Sequence, residues 1–291
     1  MLFRYPGGKK KLRKKILRLI RNFYNQPDNL KFEYREPFFG GGSIGLALLS
    51  GSCPQKIWIN DYDKALSFLW TSIINHSNEL CEKVEKFVPT ADDFYQIKEI
   101  LKGGFYSDND VVEVGFMKLA IHQISFSGLG TMSGGPLGGK KQESKYNIGC
   151  RWNRQKIIKK IKKYNFLFAH KAINEEICTS NDFSELFSDN EDAIYYVDPP
   201  YFEKGAELYQ YSFSEKDHIR LKNILQSENR PFILSYDSCD KIKDLYSWAQ
   251  CKEVDINCTI NTSRDKKELI ITPPGFLTNL KKNTIQQKNL F

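Results

Sequence analysis

Phe32-Glu33-Tyr34-Arg35-Glu36-Pro37-Phe38-Phe39-Gly40-Gly41-Gly42-Ser43-Ile44-Gly45 reads as three elements in succession. Phe32 to Arg35 is a short candidate strand, Glu36 to Gly45 a glycine turn, and Leu46-Ala47-Leu48-Leu49 a helix that ends at Gly51-Ser52. Strand, glycine turn and helix in that order hold a nucleotide-like ligand against a helix N-terminus, and the glycines let the backbone come close to it. Lys56-Ile57-Trp58-Ile59 is the next strand and ends at Asn60-Asp61. An acid at that point is where ribose hydroxyls are gripped. Together these units predict an open, Rossmann-like α/β sheet.

Three ligand classes compete for the turn. A phosphate-binding P-loop needs Lys and Ser or Thr after its last glycine, and Leu46 and Ala47 stand there instead. A dinucleotide site needs G-x-G-x-x-G, which Gly40, Gly42 and Gly45 satisfy. A methyl-donor site, adenosine plus an amino acid, fits the same glycines. The stretch that separates the last two is Asp198-Pro199-Pro200-Tyr201, which follows the apolar run Ala193-Ile194-Tyr195-Tyr196-Val197. That run is a buried strand by length and composition. The prolines have no N–H to donate and stop the pairing, so a carboxylate and a tyrosine stand on a stiff turn at a strand's carboxyl end. Hydride transfer has no use for such a turn.

The remaining composition bounds the partners. A chain of 291 residues with 41% hydrophobic and 27% charged residues buries a substantial core. No apolar run is long enough to span a bilayer, and Met1 to Pro6 show no signal-peptide core, so no membrane and an intracellular, cytoplasmic location are expected. Seven scattered cysteines without C-x-x-C, and four histidines without H-E-x-x-H, give no metal site. The net charge of +8 is concentrated in two acid-free clusters. One runs from Lys9 to Arg21 and the other from Arg151 to Lys163, and both suit phosphates.

Lys10 to about Tyr24 has helical spacing of apolar residues behind the turn Pro6-Gly7-Gly8. From Asp63 to about Asn165 the pattern becomes helical, with stretches near Glu79–Phe87, Phe94–Leu101 and Val114–Ile124. A glycine-rich loop, Ser125 to Gly139, then leads into Lys140, Lys141, Lys145, Arg151, Trp152 and Arg154. Aromatics interleaved with bases mark a nucleic-acid contact region. The α/β pattern resumes with a strand near Ile177 that ends at Asn181-Asp182-Phe183. There Asp182 either holds an adenine amine, with Phe183 stacked on the ring, or starts a helix. Ser214-Glu215-Lys216-Asp217 is a capping box. Phe232–Tyr236 is a strand, and Cys251–Asn257 with Glu268–Thr272 a terminal antiparallel pair.

Arg4-Tyr5-Pro6-Gly7-Gly8-Lys9, Glu36 to Ser43, Asn60-Asp61, Asp182-Phe183 and Asp198-Pro199-Pro200-Tyr201, in that order, resemble the Dam-type N6-adenine DNA methyltransferases. The resemblance covers most of the chain. It implies a seven-stranded methyltransferase sheet in residues 1–63 and 166–291 that binds S-adenosylmethionine, with a mostly helical target-recognition insertion at 64–165. It implies donor contacts at Tyr5, Lys9, Phe38, Gly40, Gly42, Asp61, Asp182, Phe183 and Asp198. Double-stranded DNA is the implied partner, with a restriction endonuclease as a possible second. Where the founding pattern carries a base-reading arginine two places after Gly128-Leu129, Thr131 stands here, so the GATC target is not carried over.

The expected chemistry follows. Adenine N6 is a poor nucleophile because its lone pair is delocalised into the ring. The Asp198 carboxylate and the Pro199 carbonyl each accept one N6–H, which turns the lone pair towards the methyl sulfonium. Pro200 stiffens the turn and Tyr201 stacks on a target base flipped out of the duplex. The competing readings are an N4-cytosine or RNA methyltransferase of the same fold, a nicotinamide-dependent oxidoreductase, and a nucleic-acid-binding protein without activity.

Overall fold

The computed structural model describes residues 2–4, 12–51, 54–169, 177–203, 205, 210–256 and 266–278. Seven strands form one sheet: β1 (Glu33–Glu36), β2 (Ile57–Asn60), β3 (Cys178–Thr179), β4 (Ala193–Val197), β5 (Phe232–Asp237), β6 (Gln250–Ile256) and β7 (Lys266–Thr272). Their order is β3-β2-β1-β4-β5-β7-β6. The first five are parallel, and β7 runs antiparallel to both β5 and β6. The strand order reverses between β1 and β4, so the two turns that leave their carboxyl ends open side by side. Crevices at such reversals hold ligands in open α/β sheets.

Alternation along the strands gives the sheet two apolar faces. Ala193, Tyr195 and Val197 pack with Phe232, Leu234 and Tyr236 against α8 (Glu215–Ser227) and α9 (Asp240–Leu245). Ile194, Tyr196 and Ile233 face the other way, into a core shared with α1 (Leu12–Tyr24) and α2 (Gly45–Leu49). The same core continues without a break into α3 (Lys64–Asn75), α4 (Ser77–Lys86), α6 (Val111–Ile124) and α7 (Arg154–Ala169). The helical stretches expected between α3 and α6 are present, with α5 at Ala91–Gly103. The helical segment is fastened to the sheet by Trp70 of α3, fully buried, whose indole N–H donates to the Gly40 carbonyl at 2.9 Å.

Two expectations change in detail. β3 is only two residues long, and Phe183–Phe187 is a 3-10 helix. Asp182 caps it, accepting from the Ser184 amide at 3.0 Å, as the helix-start reading required. The Ser214 capping box forms in full at the start of α8.

β1 carries charge through the middle of the sheet. Arg35 is 1% exposed. Its guanidinium donates to Glu33 at 2.6 Å, to both oxygens of Asp189 at 2.9 and 2.7 Å, and to the Leu186 carbonyl at 2.7 Å. Two rings flank it, Trp58 and Tyr195, with centres 4.9 and 5.9 Å away. The buried charge is therefore hydrogen-bonded on every side, the condition for tolerating it. Arg35→Met strands Glu33 without its cation and should cost about 3–5 kcal/mol in urea unfolding. A loss of about 1 kcal/mol or less, the size of a surface pair, would show that the network does not hold the sheet together.

Candidate active site

The turns after β1 and β4 enclose a cavity of about 440 Å³, within the range of small-molecule sites. Its charged lining among the described residues is Glu36, Asp61, Asp63, Asp182, Asp198 and Asp217, with Arg220 the one cation. Phe38, Phe183 and Phe213 supply apolar faces, their ring centroids 5.3–5.6 Å apart.

The glycine turn is held by acids from beneath. Asp61 Oδ2 accepts from the Gly40 amide at 2.8 Å, and its Oδ1 from the Asp63 amide at 3.1 Å. Glu36 Oε2 accepts from the Gly45 amide at 3.1 Å and from the Tyr34 hydroxyl at 2.7 Å. The first N–H of α2 is thus taken by the chain's own carboxyl group. Burial, then the charge of Asp63, pushes Asp61 up to about 7. Burial, then the charges of Asp198 and Asp61, raises Glu36 well above the usual carboxylate range, against the pull of its Tyr34 and Gly45 hydrogen bonds.

The Asp198 turn is clamped from the neighbouring strands. Ser235 on β5 donates to Asp198 Oδ1 at 3.1 Å, and the Tyr196 hydroxyl lies 2.9 Å from Ser235 Oγ. Asp237 accepts from the Phe202 and Glu203 amides at 3.1 and 3.4 Å. The Tyr201 hydroxyl donates to Glu268 on β7 at 3.1 Å. Two prolines and these bonds fix the carboxylate at the cavity wall without help from a ligand.

Phe38, Gly40, Asp61, Asp182, Phe183, Asp198 and Pro200 are brought together at this cavity. Gly42 is not at its wall: at φ +64°, an added Cβ would come within 2.8 Å of the Phe39 ring, so the missing side chain makes room for Phe39 and not for a ligand. Pro199 is buried, and neither it nor Tyr201 is among the lining residues. Asp182 is held by Ser184 and by Arg220 at 2.6 Å, which keep its carboxyl below the usual range against the opposing cost of burial. The same guanidinium covers Phe183, 4.4 Å from the ring centre. Tyr5, Lys9 and the turn at Pro6-Gly7-Gly8 lie outside the described residues.

Sequence reasoning missed several wall residues. Glu36, Asp63, Gln210 and Arg220 line the cavity without having been singled out. Asp63 had a signal, an acid two places after Asp61, whereas Arg220 on α8 had none.

The recognition region needs one correction. Trp152, expected to face nucleic acid, is 7% exposed and packs edge-on against Phe87 and Phe116 at 5.0 and 6.1 Å. It anchors the start of α7 in the core. Lys140, Lys141 and Lys145 are exposed, and Arg154 half-exposed. Arg151 donates to the Ser125 and Phe126 carbonyls at 3.3 Å. Thr131 is 2% exposed and points inward, donating to Gln210 Oε1 at 2.7 Å.

Comparison with known proteins gives the family. The family model of D12 class N6 adenine-specific DNA methyltransferases matches residues 5–260. The Type II methyltransferase M.MjaIII of Methanocaldococcus jannaschii is similar, 24% identical over an alignment covering 91% of this chain and 94% of that protein. With an Asp-Pro-Pro-Tyr turn and a glycine turn meeting at one acidic cavity, and a family model spanning nearly the whole sequence, the chain belongs to the D12 class N6 adenine-specific DNA methyltransferases, whose methyl donor is S-adenosylmethionine.

Proposed function

We propose that the 440 Å³ cavity seats both S-adenosylmethionine and the amine of an adenine flipped out of duplex DNA, with Asp198 between them. The observation that carries this reading is the charge of the wall. A protein of net charge +8 has an almost wholly acidic cavity. Such a wall attracts a sulfonium and an α-ammonium, and repels a pyrophosphate. The α2 amide that a dinucleotide phosphate would need is already bonded to Glu36. Both points favour a methyl donor over a nicotinamide cofactor.

S-adenosylmethionine, when bound, supplies a methyl group on a cationic sulfur. Asp61 would accept from its ribose hydroxyls, each carboxylate oxygen having spare acceptor capacity beyond its backbone bond. Phe38 and Phe183 would flank its adenine, and Asp182 would accept from the ring amine. Asp198, oriented by Ser235, accepts an N6–H of the target base. That bond raises electron density on the nitrogen and gives the proton lost on methylation a place to go. An acceptor fixed before the reaction costs no reorganisation. Tyr201, anchored to Glu268 and outside the cavity wall, would stack on the extruded base from beyond that wall, only the base's amine entering the cavity. Residues 64–165 with Lys140, Lys141, Lys145, Arg151 and Arg154 form the target-recognition side and hold the duplex by its phosphates. The enzyme acts inside the cell, where the DNA is, and the likeness to a Type II methyltransferase favours a role beside a restriction endonuclease.

Methylating random-sequence duplex DNA and mapping N6-methyladenine at base resolution tests the activity directly. Asp198→Ala should abolish transfer while leaving duplex affinity within about threefold, since phosphate contacts carry the affinity. Loss of both together would remove Asp198 from the reaction. Asp61 makes a second prediction. Its raised pKa means that the charged form, which the cationic donor favours, exists mainly above about pH 7. Donor affinity should therefore be level above that pH and fall on acidification by up to about tenfold per pH unit. Calorimetric titration of S-adenosylmethionine would show this, and Asp61→Asn should flatten the profile.

A further inference from the structure

The acid next to Asp61 has a partner that the chemistry above does not use. Asp63 caps α3, its Oδ1 accepting from the Leu66 amide at 3.1 Å, and it lines the cavity. Its Oδ2 accepts from Lys118 Nζ at 2.5 Å. Lys118 lies on α6, inside the helical insertion, and is 3% exposed. Asp63 is 7% exposed, so both ends of the ion pair are buried.

The helix packing delivers this lysine. Gly115, one turn earlier on α6, faces α3 with no room for a side chain: an added Cβ would meet Ser72 Oγ at 2.7 Å and the Phe68 carbonyl oxygen at 2.8 Å. The close approach of the two helices brings Lys118 to the capped end of α3. The fold alone calls for neither charge. Apolar side chains of like volume stabilise as well as a buried ion pair, and Asn caps a helix as well as Asp.

The cavity supplies the reason for both. The Asp63 amide donates to Asp61 Oδ1 at 3.1 Å, which fixes that carboxylate. Burial, then the Asp63 charge, pushes Asp61 up to about 7, against the pull of its two backbone hydrogen bonds and of Lys118. Arg220, the cation on the wall, is engaged by Asp182 at 2.6 Å and Asp217 at 3.6 Å. Lys64, next in the chain, is drawn to Asp108 at 3.0 Å. Lys118 acts on Asp61 from behind the wall.

The other titratable groups around the pair come from several elements. Glu36, itself under the charges of Asp198 and Asp61, faces it from the sheet. Cys178 on β3 is pushed up to about 11 and Tyr106 up to about 12, both by burial, and Tyr211 is raised by burial. His122, one turn beyond Lys118, is pushed down to about 3 by burial and then by Lys118. Neither ring, thiol nor imidazole changes charge near neutrality, so the carboxyl groups decide how the site responds to pH.

We propose that Lys118 and Asp63 are positioning residues for the methyl donor: the buried pair holds the Asp61 carboxylate in place and governs its charge. This role rests on the reading of Asp61 as a donor contact. It makes α6 a working part of the donor site, although none of its residues lines the cavity.

Calorimetric titration of S-adenosylmethionine into the full-length protein, on both sides of neutrality, tests it. Asp61→Asn gives the baseline, because it keeps every other titration, the donor's own included. Against that baseline, Asp63→Asn should move the midpoint of the affinity profile about one pH unit lower, since a repelling charge is gone while Lys118 remains. Asp63→Asn combined with Lys118→Met, a neutral pair of similar size, should place the midpoint between those of the single variant and the unsubstituted protein. The double variant strands no buried charge, so it decides the matter even where the single one folds poorly. A pair serving the fold alone would lower affinity by one factor at every pH and leave the midpoints together, and that result would overturn the proposal. So would a midpoint that rises in either variant. If Asp61→Asn leaves the profile as it was, Asp61 does not grip the donor and this role falls with that reading. A flat Asp61→Asn profile beside unmoved midpoints would overturn the role of the pair alone.

Discussion

The parallel pairing of β1 with β4, with Arg35 opposite Tyr195, is the constraint from which the active site follows. It aligns two carboxyl ends that lie more than 150 residues apart in the chain. A glycine turn leaves one and a proline turn leaves the other, at the point where the strand order reverses. Arg35 is one of the residues that make the pairing possible, because its ion network joins β1 to Asp189, just before β4. The bonds from Ser235, Asp237 and Glu268 then fix the second turn to β5 and β7. Catalytic geometry here is a property of sheet register before it is a property of any loop.

Charge divides the molecule by task. The inner cavity is acidic and suits a cationic donor. The segment from Lys140 to Lys163, proposed above to meet the duplex, contains Glu143 as its sole acid and suits a polyanion. In the reading proposed above, the same separation would keep the DNA backbone away from the acidic cavity, so that a base and not a phosphate enters. Burial adds to this by raising Asp61 to about 7 and Glu36 well above the usual carboxylate range, so that the carboxyl groups sharing one small space need not all be charged at once.

Much of this was legible in the sequence where the signal was local. The strand-turn-helix at Phe32–Leu49, the acid at Asp61, the Ser214 box and the rigid corner at Asp198 each depend on neighbours a few residues away. What was not legible depends on distant partners. Trp152 read as a nucleic-acid contact because bases surround it in sequence, but Phe87 and Phe116 come from other helices to bury it. Gly42 read as clearance for a ligand, and the clearance belongs to Phe39. Asp182 was open to two readings, and one carboxylate serves as cap and as partner of Arg220 on α8. Nothing in a linear string shows whether an empty position faces a neighbour or open space.

Residues 125–139 are secured by peptide groups and by side chains around them: Gln142 donates to the Leu137 carbonyl, Arg151 to the Ser125 and Phe126 carbonyls and Lys98 to the Ser133 carbonyl, while Thr131 donates to Gln210. Several of these bonds end on main-chain carbonyls, which every residue has, so the loop's outward side chains can be exchanged while the buried ones, Ser125, Thr131, Ser133 and Leu137, hold its path. The outward side of this segment can thus vary in chemistry while its path is held, in contrast to the sheet beneath it, where strand register fixes both.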